Sequence, residues 1–331
     1  MGKVILEVKD LHVSFYKKKT EGQAVRGVSF SLEEGQTLGI IGESGSGKSV
    51  SGMTVMGLTQ SMGGVIKKGE ILYEGTDLLK LSAREMRKIQ GNKIAMIFQE
   101  PMTSLNPVFT IGYQICEPLK IHLGMDNASA QKRAVELLNM VGISSPEKRL
   151  KQYPHQLSGG MRQRVMIAMA LACEPNIMIA DEPTTALDVT VQAQILQLLR
   201  DLKHMQNNAA VILVTHDMGV IAENADKVAV MYAGQIVEDA EVKALFQKPL
   251  HPYTQGLMAS MPSLSEEKDH LETIEGTVPS IYAMPAGCAF CNRCKYAKPC
   301  CRENAPQMLE AEPGRLVRCL KYDPKFKGEW A

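Results

Sequence analysis

The chain has 331 residues, 45% hydrophobic and 22% charged, which is typical of a globular protein with a large core and room for an appendage. Its formal net charge is only +1, so no global field favours nucleic acid or an anionic membrane as a partner. Acidic residues interrupt the first apolar run and no window approaches 18 uninterrupted apolar residues, so we expect a cytosolic chain without signal peptide or membrane span.

The first 35 residues alternate apolar and polar side chains, as in ILEVKDLHVSF and AVRGVSFSLEEG. Alternation with a period of two predicts an antiparallel β-subdomain, and we expect Gly35 and Gly69 to lie in its turns. An α/β core is expected at residues 37–100 and 174–240. Four apolar runs there predict buried strands: TLGII, KIAMIF, NIMIAD and AVILVT.

A glycine-rich turn, GESGSGKS, follows the first of these strands and matches G-x-x-x-x-G-K-[ST]. Its glycines allow the backbone angles that gather N–H groups around an anion. A helix beginning near Lys48 would add its positive end, while Lys48 would reach the β- and γ-phosphates and the Ser49 hydroxyl would ligate Mg²⁺. The turn therefore predicts a nucleoside triphosphate site made of Gly42, Ser44, Gly45, Ser46, Gly47, Lys48, Ser49 and Val50.

The run NIMIADEP, at residues 176–183, predicts a second buried strand that ends in two carboxylates. Asp181 suits indirect support of Mg²⁺. Glu182 suits polarisation of an attacking water, because in-line phosphoryl transfer needs a positioned nucleophile and little covalent chemistry. Taken alone, the same pattern also fits a strand end capped by solvated acids.

The segment LSGGMRQR, at residues 157–164, opens a predicted helix. Ser158 is a good N-cap, and Gly159 and Gly160 leave N–H groups bare at the positive end of the helix. This is a second anion site, far in sequence from the first. One nucleotide is not expected to use both anion sites of the same chain. We therefore expect the second site to bind a nucleotide that is held by another subunit.

These motifs together resemble those of the ABC-type ATPases, with LSGGMRQR similar to the family signature. Gln99 in AMIFQEP resembles the Q-loop, TALD at residues 185–188 the D-loop, and His216 in VILVTHD the switch histidine. The order and spacing agree over residues 4 to about 245. The resemblance implies an α/β P-loop ABC ATPase with a RecA-like core, an antiparallel β-subdomain and a helical subdomain at about residues 101–165.

The resemblance also implies a mechanism that uses ATP and Mg²⁺. Two ATPase subunits would dimerise head to tail, each phosphate loop facing the signature of the partner. Gln99 would contact Mg²⁺ and the attacking water, and His216 would hydrogen-bond the γ-phosphate or that water. With Glu182, these are the catalytic candidates. The adenine would stack on Phe15 or on the adjacent Tyr16, a choice that the sequence leaves open.

The amino-acid composition changes after about residue 245, where prolines become frequent. HPYT at residues 251–254 resembles a segment that follows the core in oligopeptide and dipeptide importer ATPases, and GTVPS at 276–280 fits the same pattern. This resemblance implies an ATPase domain at residues 1–248 and an importer-type extension at residues 249–331.

The resemblance implies a peripheral subunit on the cytoplasmic face of the membrane that powers import of di- or oligopeptides. Its partners would be a second, similar ATPase (a heterodimer, with a homodimer as the alternative), two membrane permeases and an external peptide-binding protein, without nucleic acid. Residues 100–107, after the Q-loop, would form the docking surface for the permease. Alternatives are an importer of nickel or another solute, and a soluble ABC protein outside transport.

Six of the eight cysteines lie in the tail, five of them in GCAFCNRCKYAKPCC at residues 287–301. Disulfides are disfavoured in the cytosol, so the cluster indicates metal ligands rather than bridges. Four thiolates bind either Zn²⁺ or a [4Fe–4S] cluster, and the CxxCxxC run at Cys288, Cys291 and Cys294 also suits a cluster. A reduced, metal-free tail is the remaining reading.

The peptide-importer ATPases carry C-x5-C-x6-C followed by a distant cysteine. This resemblance favours a [4Fe–4S] cluster, with Zn²⁺ as the alternative, on Cys288, Cys294, Cys301 and Cys319. Cys291 and Cys300 are then extra. We expect loss of the metal to leave ATP binding at Lys48 intact, because the tail and the phosphate loop are far apart in sequence.

Overall fold

The computed structural model describes residues 2–100, 104–184, 189–205, 209–261 and 273–330. Two units can be distinguished. The first, here called the helical unit, contains residues 80–213 with 1–3 and 33–36. The second, the phosphate-loop unit, contains residues 4–32, 37–79 and 214–331.

An antiparallel sheet occupies the N-terminal part of the phosphate-loop unit. Its strand order is β2-β1-β4-β5, where the strands are β1 Val4–Lys17, β2 Thr20–Glu33, β4 Val65–Tyr73 and β5 Thr76–Asp77. Burial in β1 follows a period of two in two stretches, at Leu6 and Val8 and again at Leu11 and Val13, and the antiparallel β-subdomain is confirmed.

Gly35 lies in a turn as predicted, but Gly69 does not. Gly69 lies inside β4 with φ 119°, where a Cβ would come within 2.7 Å of Leu11 Cα. The register between β1 and β4 shifts between Lys9 and His12 nearby. The glycine therefore allows two backbones to approach closely at a bulge, a role that a turn signal does not distinguish.

The second group of strands in the phosphate-loop unit carries the phosphate loop. Its order is β11-β12-β10-β9-β3, where the strands are β3 Thr37–Ile41, β9 Lys227–Tyr232, β10 Gln235–Glu241, β11 Leu309–Glu312 and β12 Arg315–Val317. β3 and β9 are parallel, and all five residues of β3 are buried, as its uninterrupted apolar run predicts. The helices of this unit are α1 Lys48–Val55, α8 Met218–Asn224, α9 Val242–Gln247, α10 Pro252–Ala259 and α11 Pro299–Glu303.

The helical unit contains the parallel pair β6 Ile94–Ile97 and β7 Ile177–Asp181. Strand β8, Ala210–Thr215, lies beside β7, and its last two residues belong to the phosphate-loop unit. The helices are α2 Ala83–Ile89, α3 Ile111–Leu123, α4 Asn127–Met140, α5 Pro146–Arg149, α6 Gly159–Leu171 and α7 Val189–Met205. The described part of the predicted insert at residues 101–165 is mostly helical, as expected.

No helix in the described ranges combines the length and the apolar character needed to cross a bilayer.

Candidate functional site

The phosphate loop joins β3 to α1 as the sequence predicts. Gly45 and Gly47 have φ of 77° and 98°, the left-handed region that glycine adopts without cost. At Gly42, a Cβ would lie 2.1 Å from the carbonyl oxygen of Met231, so no larger residue fits there. Helix α1 begins at Lys48, so its free N–H groups are at the end of the loop.

Lys48 is buried, and its Nζ donates hydrogen bonds to the carbonyl oxygens of Gly42 (2.7 Å) and Glu43 (3.1 Å). Its ammonium is therefore held against the loop. Ser46 is fully buried, and within the described chain its Oγ has no hydrogen-bond partner. A buried hydroxyl without a partner is costly, and a phosphate oxygen would satisfy it. These contacts fit a bound phosphate chain.

Glu182 and Gln99 are brought together at one edge of the β6–β7 pair. The strands run parallel with Ile97 opposite Ala180, so the residues just beyond both carboxyl ends meet. Gln99 Nε2 donates a hydrogen bond of 2.9 Å to Glu182 Oε2. Asp181 is buried as the last residue of β7. The helical unit thus joins two of the predicted catalytic side chains.

Glu182 has a left-handed backbone, with φ 44°. This conformation is unfavourable for a residue with a Cβ and is commonly retained at functional sites. It fixes the direction in which the carboxylate leaves the strand. The sequence carries no signal for it, because no glycine or asparagine marks the position.

The signature segment caps α6 as predicted. Ser158 Oγ accepts a hydrogen bond of 3.3 Å from the Met161 N–H, and both Ser158 and Gly159 are exposed. The end of the helix is thus open to an anion. Sequence reasoning missed Gln163, which is buried and donates from Nε2 to the carbonyl oxygen of Pro183 at 2.6 Å. This bond ties α6 to the residue that follows Glu182.

The remaining predicted nucleotide residues lie as follows. His216 is exposed, one residue beyond the end of β8. Phe15 is half-buried over Gly64, while Tyr16 is exposed with Lys67 Nζ 5.1 Å from its ring centre. The predicted D-loop, residues 185–188, lies outside the described residues, as do residues 101–103 of the predicted docking surface.

Five of the six tail cysteines line one cavity in the phosphate-loop unit: Cys288, Cys291, Cys294, Cys301 and Cys319. The cavity encloses about 20 Å³, space for roughly one water and too little for a four-iron cluster as it stands. Among the described residues, no three His, Cys, Asp or Glu side chains are arranged to hold a metal ion. The predicted metal centre is therefore not confirmed, although its four proposed ligands face one space.

The environment of these thiols opposes ionisation. Burial, helped by the neighbouring thiols, raises the pKa of Cys288 to about 12 and that of Cys319 to about 11. Burial also raises the pKa of Cys291 and of Cys294. Because metals bind thiolates, the binding of a metal here has to drive off these protons.

The HPYT segment forms buried hydrogen bonds that could not be predicted from the sequence. His251 is fully buried; its N–H donates to Glu238 Oε2 (2.8 Å), and its Nδ1 accepts from the Tyr253 N–H (3.0 Å). Burial lowers the pKa of His251 to about 3, so the ring is neutral. The buried phenol oxygen of Tyr253 accepts a hydrogen bond of 2.9 Å from the N–H of Glu43 in the phosphate loop.

The tail also contacts the phosphate loop directly. Arg293 lies between Cys291 and Cys294, and its Nη1 donates to both carboxylate oxygens of Glu43, at 3.1 and 3.0 Å. The two segments are 250 residues apart in sequence but adjacent in space. Separation in sequence therefore does not keep the tail away from the phosphate loop, and the expected survival of ATP binding after loss of the metal stays a prediction.

A glycine-rich phosphate loop between β3 and α1 is the geometry of a P-loop nucleotide-binding protein. The model of the ABC transporter family matches residues 25–185. That of the oligopeptide/dipeptide transporter C-terminal region matches residues 237–301.

The oligopeptide transport ATP-binding protein AppD of Bacillus subtilis is 53% identical over 96% of this chain and 97% of its own length. The dipeptide transport ATP-binding protein DppD of Escherichia coli is 48% identical over 95% and 96%. A dimeric ATP-binding cassette in a post-hydrolysis state, bound to ADP and Pi, superposes with a TM-score of 0.65 at 30% identity, covering 72% of this chain and 98% of that one. The chain belongs to the ATP-binding proteins of ABC transporters, and it is an ABC ATPase.

Proposed function

We propose that this chain is the ATP-hydrolysing subunit that powers import of di- or oligopeptides through a membrane ABC transporter. One observation carries the proposal. Over nearly its full length, the chain is 53% and 48% identical in sequence to proteins named for oligopeptide and dipeptide transport. Residues 237–301 match the oligopeptide/dipeptide transporter C-terminal region. This match supports peptides as the transported substrate, independently of the ATPase core.

In the proposed reaction, the N–H groups of the loop and Lys48 bind the β- and γ-phosphates. Mg²⁺, held through Ser49 and Gln99 with support from Asp181, would neutralise charge on the phosphates. Glu182 accepts a proton from the attacking water, and Gln99 keeps that carboxylate in place through its hydrogen bond of 2.9 Å.

We assign three further contacts in the same proposal. His216 hydrogen-bonds the γ-phosphate or the attacking water. One aromatic ring of the Phe15–Tyr16 pair stacks on the adenine. The open start of α6, at Ser158, Gly159 and Gly160, binds the γ-phosphate of a nucleotide held by a partner subunit, as its cap and exposure allow.

The α6 contact makes the active assembly a head-to-tail dimer with a second, similar ATPase, and we propose a heterodimer. Two permeases and an external peptide-binding protein complete the transporter, with this chain bound peripherally at the cytoplasmic face. Residues 1–248 supply the ATPase domain and residues 249–331 the extension.

Reconstitution tests the proposed function. With the permeases, the partner ATPase and the binding protein in vesicles, ATP hydrolysis should rise severalfold when di- or oligopeptide is supplied to the binding protein. Nickel or free amino acids at the same concentration are the matched controls. Equal stimulation by nickel, or no stimulation by any peptide, would contradict peptide import.

We further propose that the tail binds one metal centre through Cys288, Cys294, Cys301 and Cys319. Supporting the proposal, all four thiols line the same cavity, and soft thiolates are the ligands that both zinc and iron–sulfur clusters use. A [4Fe–4S] cluster requires the cavity to open beyond its present 20 Å³, whereas a single zinc ion requires less rearrangement.

Substitution by serine tests the ligands. Serine at each of the four should lower the metal content by at least about tenfold, because each removes one of four bonds. Cys300→Ser is the matched control, because Cys300 neighbours Cys301 on α11 but does not line the cavity. Metal analysis and visible absorption of anaerobically purified protein give the readout. Protein without iron or zinc, or a Cys300 variant that loses the metal as fully as a Cys301 variant, would overturn the assignment.

A further inference from the structure

Glu43, the first variable residue of the phosphate loop, is held by three partners, through its N–H, its carbonyl oxygen and its carboxylate. Its N–H donates to the Tyr253 phenol oxygen at 2.9 Å, and its carbonyl oxygen accepts from Lys48 Nζ at 3.1 Å. Its carboxylate accepts from Arg293 at 3.0 and 3.1 Å. Two of these three partners come from the C-terminal extension, so the extension takes part in shaping the loop.

A carboxylate at this position is electrostatically unfavourable for the ligand. The loop binds the phosphate chain of ATP, which carries several negative charges, and like charges at short range in a partly buried site repel strongly. Arg293 supplies the compensating charge, and its side chain is only 6% exposed while that of Glu43 is 30% exposed. The pair is therefore screened little by solvent.

The guanidinium of Arg293 is fixed before any ligand arrives. Its Nε donates to the carbonyl oxygen of Glu275 (2.9 Å) and its Nη2 to that of Ile274 (3.0 Å). It also lies 5.7 Å from the ring centre of Tyr232. Nε and Nη2 are engaged by the backbone, and Nη1 donates to Glu43 and, at 3.4 Å, to the Tyr232 hydroxyl oxygen. Because the guanidinium is already fixed, little side-chain entropy is lost in making the contact with Glu43.

Tyr253, the second partner that the extension provides for Glu43, is also held rigidly. The rings of Tyr232 and Tyr253 lie 4.7 Å apart, and Phe290 of the tail packs against both, at 5.1 and 5.4 Å. Tyr253 is fully buried, so its oxygen cannot move away from the Glu43 N–H without disturbing this aromatic cluster. Tail, HPYT segment and phosphate loop thus form one packed element.

We propose that Arg293 and Tyr253 are positioning residues for ATP binding. Arg293 neutralises the Glu43 carboxylate beside the phosphates, and Tyr253 fixes the Glu43 backbone, so that the extension sets the nucleotide affinity of the loop. This inference rests on the proposed ATP-binding role of the loop and assigns a function to two residues of the C-terminal extension, Arg293 and Tyr253.

A double-mutant cycle on the full-length chain tests the electrostatic part. Calorimetric titration with Mg-ATP and with AMP would compare the native protein, Arg293→Gln, Glu43→Gln and the double variant. Arg293→Gln should weaken ATP about tenfold but AMP less than about threefold, because the unpaired carboxylate repels the phosphate chain. Adding Glu43→Gln should restore ATP affinity to within about threefold of the native value, since the repelling charge is gone.

Two controls separate this effect from damage to the tail. Lys298→Gln removes one positive charge from an exposed lysine of the same tail and should leave ATP affinity unchanged. Tyr253→Phe removes only the acceptor oxygen and should weaken ATP by severalfold, a defect that Glu43→Gln should not repair because it does not arise from charge. Metal content and thermal unfolding of each variant are measured in parallel.

The outcomes distinguish a failure of ATP binding from a failure of the positioning role. Native protein that binds no ATP refutes the proposed function itself. Native protein that binds ATP while Arg293→Gln binds it equally well refutes only the positioning role. An Arg293→Gln defect that Glu43→Gln does not repair, or that weakens AMP as much as ATP, refutes charge neutralisation by Arg293.

Discussion

Replacing Glu182 with glutamine is expected to lower the ATP turnover number by about 100-fold or more, while ATP affinity changes by less than about threefold. Glutamine keeps the size of the side chain but cannot take a proton from the attacking water. The partner Gln99, 2.9 Å away, can still hydrogen-bond to it, so the site keeps its geometry. Because binding survives and hydrolysis stops, an ATP-bound dimer should accumulate, detected by light scattering on a sizing column.

Strand β7 provides a matched control for this variant. Glu174 and Glu182 flank β7, the first before the strand and the second directly after it. Both have a left-handed backbone, with φ of 51° and 44°. Glu174 pairs with Arg133 at 2.8 Å on an exposed surface. Glu174→Gln should therefore leave turnover unchanged. Turnover of the Glu182 variant close to that of the Glu174 variant would remove Glu182 from the catalytic role.

Replacing Lys48 with alanine is expected to weaken ATP binding itself, by about 10- to 100-fold, because hydrogen bonds from a charged donor are lost in a buried site. The same substitution removes the bonds of Lys48 Nζ to Gly42 (2.7 Å) and Glu43 (3.1 Å), so the loop also loses internal support. Calorimetry with Mg-ATP measures the affinity, and thermal unfolding measures any loss of stability.

Lys243 gives the corresponding control, since it lies in the first turn of α9 in the same unit but is exposed. Its replacement by alanine should change neither ATP affinity nor the unfolding temperature appreciably. An affinity of the Lys48 variant equal to that of the Lys243 variant would contradict the phosphate-binding role of the loop.

The parts of the fold that follow from local patterns were predictable from the sequence. An uninterrupted apolar run predicted the buried strand β3, and the spacing of the glycines predicted the phosphate loop. Ser158, as an N-cap residue, predicted the start of α6. Each depends on a few consecutive residues whose backbone preferences agree. The family resemblance implied that Gln99 contacts the attacking water that Glu182 would polarise, but not that the two side chains hydrogen-bond to each other. The parallel register of β6 and β7 explains that bond.

The contacts between the tail and the loop could not be predicted in the same way. Arg293 looks like a solvated charge between two cysteines, and Glu43 like a variable residue of a common motif. Their pairing depends on how the chain folds between two residues that are 250 positions apart. The cysteine pattern is a related case: it predicts soft ligands, but the arrangement of the thiols depends on packing by Phe290, Leu320 and Trp330 around them.

The C-terminal hairpin of β11 and β12 has a consequence for solubility. β12 pairs with β10 through Glu238 and Asp239, and Arg315 donates to the buried carboxylate of Glu238 at 3.2 Å. A chain shortened before Leu309 would expose the unpaired backbone edge of β10 and leave that carboxylate without its arginine. Such an edge is a template for pairing with a second chain, so the hairpin of β11 and β12 also protects the protein against aggregation.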